Sequence, residues 1–247
     1  MLEINETDEV VVIRLNHGKV NAMDLEFCCE FTRQLKELEE SEAKAFVLTG
    51  NERAFSAGVD LKRLVNEPPD YLDQFLPALT ICFQAVFEFK KPMVAAINSH
   101  AIAGGCILAS GCDRRLIHEN ARIGLPESRI GVPLPSLAVE IMRFVASGKA
   151  FQEMVSVGQS YQGGEAVDVG LADRLVDPQT LLGEAVAMAK TLTAIPEVVF
   201  QISKQQMRKP VLKQAEWNQA QWEDRITELW KSNEIRSVIR EYVNDRL

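Results

Sequence analysis

Three stretches of this chain carry residue types whose spacing could do chemistry. Gly104-Gly105 lies between an apolar run, Met93 to Ile97, and a small-residue stretch, Cys106 to Asp113. The run follows a proline and ends at Asn98, as a fully buried strand does, and the small-residue stretch suits a helix packed on all sides. A glycine pair at such a crossover lets the backbone turn sharply and lets another group approach the main chain closely. The first N–H groups of a helix have no partner inside it, and the helix dipole favours negative charge there, so this place could hold an anion or a developing oxyanion. Ser56-Ala57-Gly58 is a second small-residue turn just past a buried strand. Two such turns could supply the two convergent N–H donors that one carbonyl oxyanion requires. Glu127 follows Pro126 at the end of an apolar segment, where a carboxylate could move a proton. Each feature also has a plain structural explanation: tight helix–strand packing for the glycines, and for Glu127 about 0.3–1 kcal/mol from a helix N-terminus.

The elements that must position these residues read as a repeating strand–helix–strand pattern, the mark of an α/β layer fold. Met1 to Leu15 predicts two strands joined at the Thr7-Asp8-Glu9 turn. Asp24 predicts a cap for a helix running to about Glu40, and Ala45 to Thr49 predicts the next buried strand. Lys62 to Asp73, with Pro68-Pro69, predicts an irregular segment, followed by an amphipathic helix from Tyr71 to Phe89. Strands are expected at Asp113–His118, Ala121–Leu125 and Arg174–Val176, with helices at Leu137–Val145, from Gly163 to near Gly170, and at Leu181–Leu192. From Pro196 onward the composition changes: no glycine, many charges and Trp217, Trp222 and Trp230. This predicts three helices, Pro196–Met207, Val211–Ser232 and Glu234–Val243, with apolar residues that need a neighbour to cover them.

Composition excludes several classes. A formal net charge of -8 leaves no basic surplus to neutralise phosphates, so non-specific nucleic-acid binding is not expected. No apolar run approaches the length of a membrane span, and the first residues are acidic, so no membrane partner and a cytoplasmic location are expected. Five cysteines without any C-x-x-C pair predict neither a disulfide framework nor a zinc site, and the thiols read as small buried residues. His17, His100 and His118 are the only histidines, and no H-E-x-x-H, P-loop or G-x-S-x-G pattern occurs. No metal site is expected.

Three motifs in order then carry a resemblance. They are Arg53-Ala54-Phe55-Ser56-Ala57-Gly58-Val59-Asp60-Leu61, Asn98 through Gly105 with Cys112-Asp113 following, and Ile123-Gly124-Leu125-Pro126-Glu127 with Gly131. Asn21-Ala22-Met23 and Glu165 through Asp173 fit as well. The chain resembles the crotonase, or enoyl-CoA hydratase/isomerase, superfamily over nearly its whole length. The resemblance implies an α/β crotonase (ClpP-like) spiral of ββα repeats over residues 1–195, with a helical C-terminal oligomerisation region over 196–247. It implies a homotrimer or homohexamer and an acyl-CoA thioester substrate, with coenzyme A part of the substrate and no separate cofactor. By position, the N–H groups of Ala57 and Gly104 would form an oxyanion hole. Main-chain atoms from Ser56 to Asp60, Gly58 among them, would border the adenine end. Leu61 and Ile130 would border the acyl pocket, with Ala22, Gly105, Ile107 and Pro126 completing the binding positions.

Family hydratases use two glutamates, one activating water and one supplying the proton. The first position, two residues after the glycine pair, is Ile107 here, and the second is Glu127. A lone carboxylate beside an oxyanion hole suits a 1,3-proton shift, with Glu127 taking a proton from C2 of a 3-enoyl thioester and returning it at C4. An aliphatic Ile107 would keep water from the intermediate, as in the Δ3,Δ2-enoyl-CoA isomerases that this pattern resembles. The alternatives are a hydratase-like lyase working with one glutamate and a non-catalytic acyl-CoA-binding homologue.

Overall fold

Strands buried on both faces account for the continuous apolar runs. The computed structural model describes residues 1–7 and 9–246. Strands β1 (Leu2–Thr7) and β2 (Val10–Leu15) form an antiparallel hairpin. The turn expected at Thr7-Asp8-Glu9 includes Asp8, which lies outside the described residues. There follow α1 (Leu25–Glu39), β3 (Ala45–Thr49), α2 (Leu61–Asn66), a 3-10 turn at Pro69–Tyr71, α3 (Leu72–Phe87), β4 (Met93–Ile97), β5 (Ala101–Ile102) and α4 (Gly104–Gly111). Next come β6 (Arg114–Ile117), β7 (Arg122–Gly124), α5 (Glu127–Ile130), α6 (Ser136–Val145), α7 (Gly148–Val157), β8 (Ser160–Gln162), α8 (Gly163–Asp168) and β9 (Arg174–Leu175). Three helices close the chain: α9 (Leu181–Thr193), α10 (Glu197–Lys231) and α11 (Asn233–Arg246).

One sheet runs β1-β2-β3-β4-β6-β9, parallel beyond the first hairpin, and a second runs β5-β7-β8. Period-two alternation divides the core. Val11, Ile13, Phe46, Leu48, Met93, Ala95 and Ile97 face the large cluster shared with α1, α3 and α4. Val10, Val12, Ala45, Val47, Val94 and Ala96 face the other way, against Leu181, Ala185 and Ala189 of α9. A strand covered on both faces needs no polar side, so the sequence shows an unbroken apolar run. Asp24 begins α1 by accepting the Phe27 N–H at 2.8 Å, as its cap position predicts.

Several expectations change. The segment from Lys62 to Asp73 is not irregular: α2 begins at its N-cap Asp60 and Pro69 opens the 3-10 turn. Pro210 does not end a helix, because α10 runs through it as one helix. The cost of a proline inside a helix, about 3 kcal/mol for the lost hydrogen bond and the ring clash together, is offset by buried anchors on either side, Lys204, Arg208 and Ala215. Helix α7 and strand β8 escaped the sequence reading. Only Ala150 and Met154 of α7 are buried, too few to show a period. Cys29 is exposed, whereas Cys28, Cys82, Cys106 and Cys112 are buried. Helix α10 packs on α6 and α3, and α11 on α2, so the C-terminal helices dock on the chain's own core.

Candidate active site

The glycine pair is not itself the turn. Both glycines lie in the first turn of α4, and the residue with positive φ is Ala103, at 55°. The glycines are needed for close approach. A Cβ on Gly105 would stand 2.3 Å from the Ser56 carbonyl oxygen, and one on Gly104 would meet Met23 Sδ at 2.9 Å. Helix α4 therefore starts two residues earlier than the small-residue run suggests and ends at Gly111.

The second turn packs directly against the first. Gly58 has φ 84°, and a Cβ on it would come within 2.9 Å of the Gly104 nitrogen. Ser56 and Ala101 form an isolated parallel bridge, in which Ser56 N–H donates to the His100 carbonyl and Ile102 N–H to the Ser56 carbonyl. Asn21 joins this turn to the loop before α1. Its side-chain amide donates to the Ala54 and Phe55 carbonyls, and the Ser56 hydroxyl donates to the Asn21 carbonyl at 2.7 Å.

Hydrogen bonding then corrects one assignment. The Ala57 N–H donates to the Val20 carbonyl at 3.0 Å, and the side chain of Ala57 is exposed, so this amide is engaged away from Gly104. Met23 N–H donates to the Gly58 carbonyl, and Asp60 N–H donates to the Met23 carbonyl. Amide groups alternate sides along an extended segment, so the Val59 N–H faces away from Met23. Among the described residues neither it nor the Gly104 N–H has a hydrogen-bond acceptor within the protein. In the turn from Ser56 to Asp60 the open donor is therefore Val59 and not Ala57, and Gly104 offers another at the start of α4.

Glu127 reaches the same place through the second sheet. Strands β5 and β7 pair in parallel, Ala101 with Ile123 and Ile102 with Gly124, and Ala103 N–H donates to the Gly124 carbonyl at 2.9 Å. One strand thus leads into α4 and its neighbour leads through Leu125 and Pro126 into α5, whose first residue is Glu127. The Glu127 side chain is 9% exposed, and its Oε2 atom has no hydrogen-bond partner. Burial pushes its pKa up to about 8, opposed in part by its own main-chain N–H, and no second carboxylate contributes. Burial first, and then the negative charge of Glu127, raise the pKa of Cys106 on the first turn of α4. Ile107, the next residue, is 1% exposed.

The profile of the family described as enoyl-CoA hydratase/isomerase matches residues 5–246. The chain belongs to this family. Its fold, a mixed α/β crotonase fold with a long helical C-terminal region, is shared with the crystal structure of human mitochondrial delta3-delta2-enoyl-CoA isomerase. That structure superposes with a TM-score of 0.90 at 25% identity, over 99% of this chain and 97% of the other. Enoyl-CoA delta isomerase 1, mitochondrial, of Homo sapiens is 28% identical over 204 residues, 81% of this chain and 68% of that protein. A probable enoyl-CoA hydratase of Rhizobium meliloti is 32% identical over 197 residues, 78% of this chain and 75% of that one. The chain is thus an enzyme of the enoyl-CoA hydratase/isomerase family, which acts on acyl-CoA thioesters.

The remaining crotonase-like positions are placed by local packing. Asp60 caps α2 by accepting the Arg63 N–H at 2.9 Å, and Leu61, Ile107 and Ile130 are buried in the large apolar cluster. Pro126 occupies the N-cap of α5, and Ala22, half-buried, follows Asn21. Val59 is the site residue that the sequence reading missed. The Ser-Ala-Gly-Val-Asp string locates the turn but carries no sign of which amide is already bonded. His100 accepts the Arg122 N–H through Nδ1 at 3.3 Å, as a loop histidine bonded to the backbone does. Lys204 and Arg208 of α10 are buried on Asp113, away from this site. A surface groove of about 720 Å³ lies between α1, α3 and α10, lined by Leu35, Phe87, Phe89 and Leu212 among others, and none of its lining residues belongs to this site.

Proposed function

We propose that this enzyme isomerises 3-enoyl-CoA to 2-enoyl-CoA, with Glu127 as the acid/base and the Val59 and Gly104 N–H groups holding the thioester oxygen. Glu127 in its ionised form removes a proton from C2, breaking that C–H bond and leaving a dienolate whose negative charge rests on the thioester oxygen. Two main-chain donors offset this charge, each worth about 2.7–4 kcal/mol in a dry site. The carboxyl then returns the proton at C4, and the double bond comes to lie between C2 and C3. One base serves both steps, and no water or cofactor takes part.

The observation that carries this reading is the pairing of a lone, buried carboxyl with Ile107. Hydration needs a second group to activate water, and an aliphatic side chain cannot do so. The apolar surroundings that raise the pKa of Glu127 also exclude water from the dienolate. Exposed Val198, Val199 and Ile202 on α10 support a homotrimer or homohexamer, in which a neighbouring subunit would cover them.

Conversion of 3-hexenoyl-CoA by the native chain and by Glu127→Gln tests the assignment. The variant should lose at least 100-fold in kcat, the lower end of general acid–base contributions. Equal turnover by both would overturn it. Rapid hydration of crotonyl-CoA by the native chain would favour the single-glutamate lyase.

A further inference from the structure

A buried charged cluster outside the site stands at the far end of α4. Lys204 and Arg208, one turn apart on α10, are 4% and 5% exposed and both turn inward. Lys204 Nζ donates to Asp113 Oδ2 at 2.8 Å, and Arg208 Nη2 donates to Asp113 Oδ1 at 2.8 Å. Asp113 is itself held by the Met93 N–H, at 2.8 Å, and so to the start of β4. The rest of the guanidinium goes to main-chain oxygens. Nη1 donates to the Gly111 carbonyl at 2.9 Å and to the Phe87 carbonyl, and Nη2 donates to the Cys112 carbonyl at 3.3 Å. Its carbon lies 4.5 Å from the centre of the Phe87 ring.

Phe87 ends α3, and Gly111 ends α4. One side chain from the C-terminal helix therefore ties together the final carbonyl groups of two helices, which have no partners of their own. A cation at that end also complements the α4 dipole, whose other end presents the Gly104 N–H. The two helices meet again at that end, where a Cβ on Gly104 would lie 3.4 Å from Phe83 Cζ. Eight helical residues span about 12 Å, and a short helix moves along its axis as a rigid body. A displacement at Gly111 therefore reappears at Gly104, where a donor must lie within about 2.7–3.1 Å of the oxyanion.

We propose that Arg208 is a positioning residue for the oxyanion site: it clamps the ends of α3 and α4 and so sets where α4 presents its first N–H. The inference rests on the acyl-CoA reading above, and its test separates the two. Hexanoyl-CoA labelled with ¹³C at the thioester carbonyl is saturated and does not isomerise, so its infrared carbonyl band reports hydrogen bonding to the oxygen in the bound state. On the native chain the band should move to lower frequency than in free hexanoyl-CoA. In Arg208→Lys, which keeps a cation but loses the fork, the band should move part of the way back. Its kcat on 3-hexenoyl-CoA should fall roughly tenfold, less than the hundredfold cost of a 1 Å misplacement, while hexanoyl-CoA affinity stays within about twofold. Asp113→Asn, which weakens the clamp with every side chain in place, should show a smaller change in the same direction, and thermal unfolding of the same samples confirms that both variants are folded. A native-like band in Arg208→Lys and Asp113→Asn would overturn the inference and leave the functional reading intact. The absence of any shift, or of binding, in the native chain would overturn both.

Discussion

Ala103 donates its N–H to the Gly124 carbonyl at 2.9 Å, one residue beyond the last pair of the β5–β7 ladder. This bond joins the entrance of α4 to the strand that leads to Glu127. The free amide of Gly104 and the lone carboxyl are thus mounted on adjacent strands, and their separation is set by sheet geometry. Ala103 carries a cost for this, since its φ of 55° and ψ of -125° lie where L-residues are strained.

Ala103→Gly relieves that strain and keeps the hydrogen bond, at the expense of a more flexible unfolded chain. The net effect should be a gain of about 1 kcal/mol or less, or roughly 2 °C in Tm for a domain of this size. Differential scanning calorimetry reads it, and a fall in Tm would show that φ at this position is not strained.

The raised pKa of Glu127, taken with its proposed role, predicts how both activity and stability depend on pH. As a base it works ionised, so kcat/KM should rise with pH and level off above about 8. Its folded pKa is above the unfolded value of 4.5, so the stability it contributes is full below pH 4.5 and is lost as pH rises through 8. Glu127→Gln does not carry this loss. The variant should therefore be more stable than the native chain at pH 9 by up to a few kcal/mol, with the difference shrinking toward pH 5. Thermal melts across this range measure it, and a constant difference would contradict the burial argument.

The two glycines should respond differently to a methyl group. In Gly105→Ala the new carbon meets the Ser56 backbone at 2.3 Å, and backbone cannot yield cheaply. In Gly104→Ala it meets the end of the flexible Met23 side chain at 2.9 Å. Overpacking costs about 1–3 kcal/mol; Gly105→Ala should lie at or above the top of that range and Gly104→Ala near its bottom. Urea unfolding compares them, and equal midpoints would be inconsistent with the packing described.

Ile107→Glu restores the carboxylate that two-glutamate hydratases have. An ionised side chain in this 1%-exposed position would be a buried charge, so a loss of about 3–5 kcal/mol is expected. Isomerisation of 3-hexenoyl-CoA should fall and hydration of crotonyl-CoA should rise above the native background. Unchanged reaction preference would mean that residue 107 does not decide between water and proton transfer.

Much of this architecture was legible because it rests on local pattern. The apolar runs at Ala45–Thr49 and Met93–Ile97 are strands to the residue, and Asp24 announced α1. Gly104 and Glu127 stood out through their motif context. Other features depend on contacts between distant segments. Which amide of Ser56 to Asp60 stays open depends on Val20 and Met23, some 35 residues earlier, where no periodicity records the choice. Lys204 and Arg208 look like surface charges on a polar helix until Asp113 and the carbonyl ends of α3 and α4 are brought to them. Pro210 ends a helix by every local rule, and only tertiary anchoring carries α10 past it.

The two open donors of this site belong to the main chain. Nearly every substitution leaves an N–H in place at residues 59 and 104; only proline removes one. In the proposed reaction, by contrast, proton transfer rests on the side chain of Glu127 and the exclusion of water on that of Ile107, either of which a single codon change can replace. If these amides hold the thioester oxygen as proposed, mutation can alter what is done to the substrate far more easily than it can abolish the grip on its carbonyl. A lineage built on this frame can drift between reactions without first dismantling its binding site.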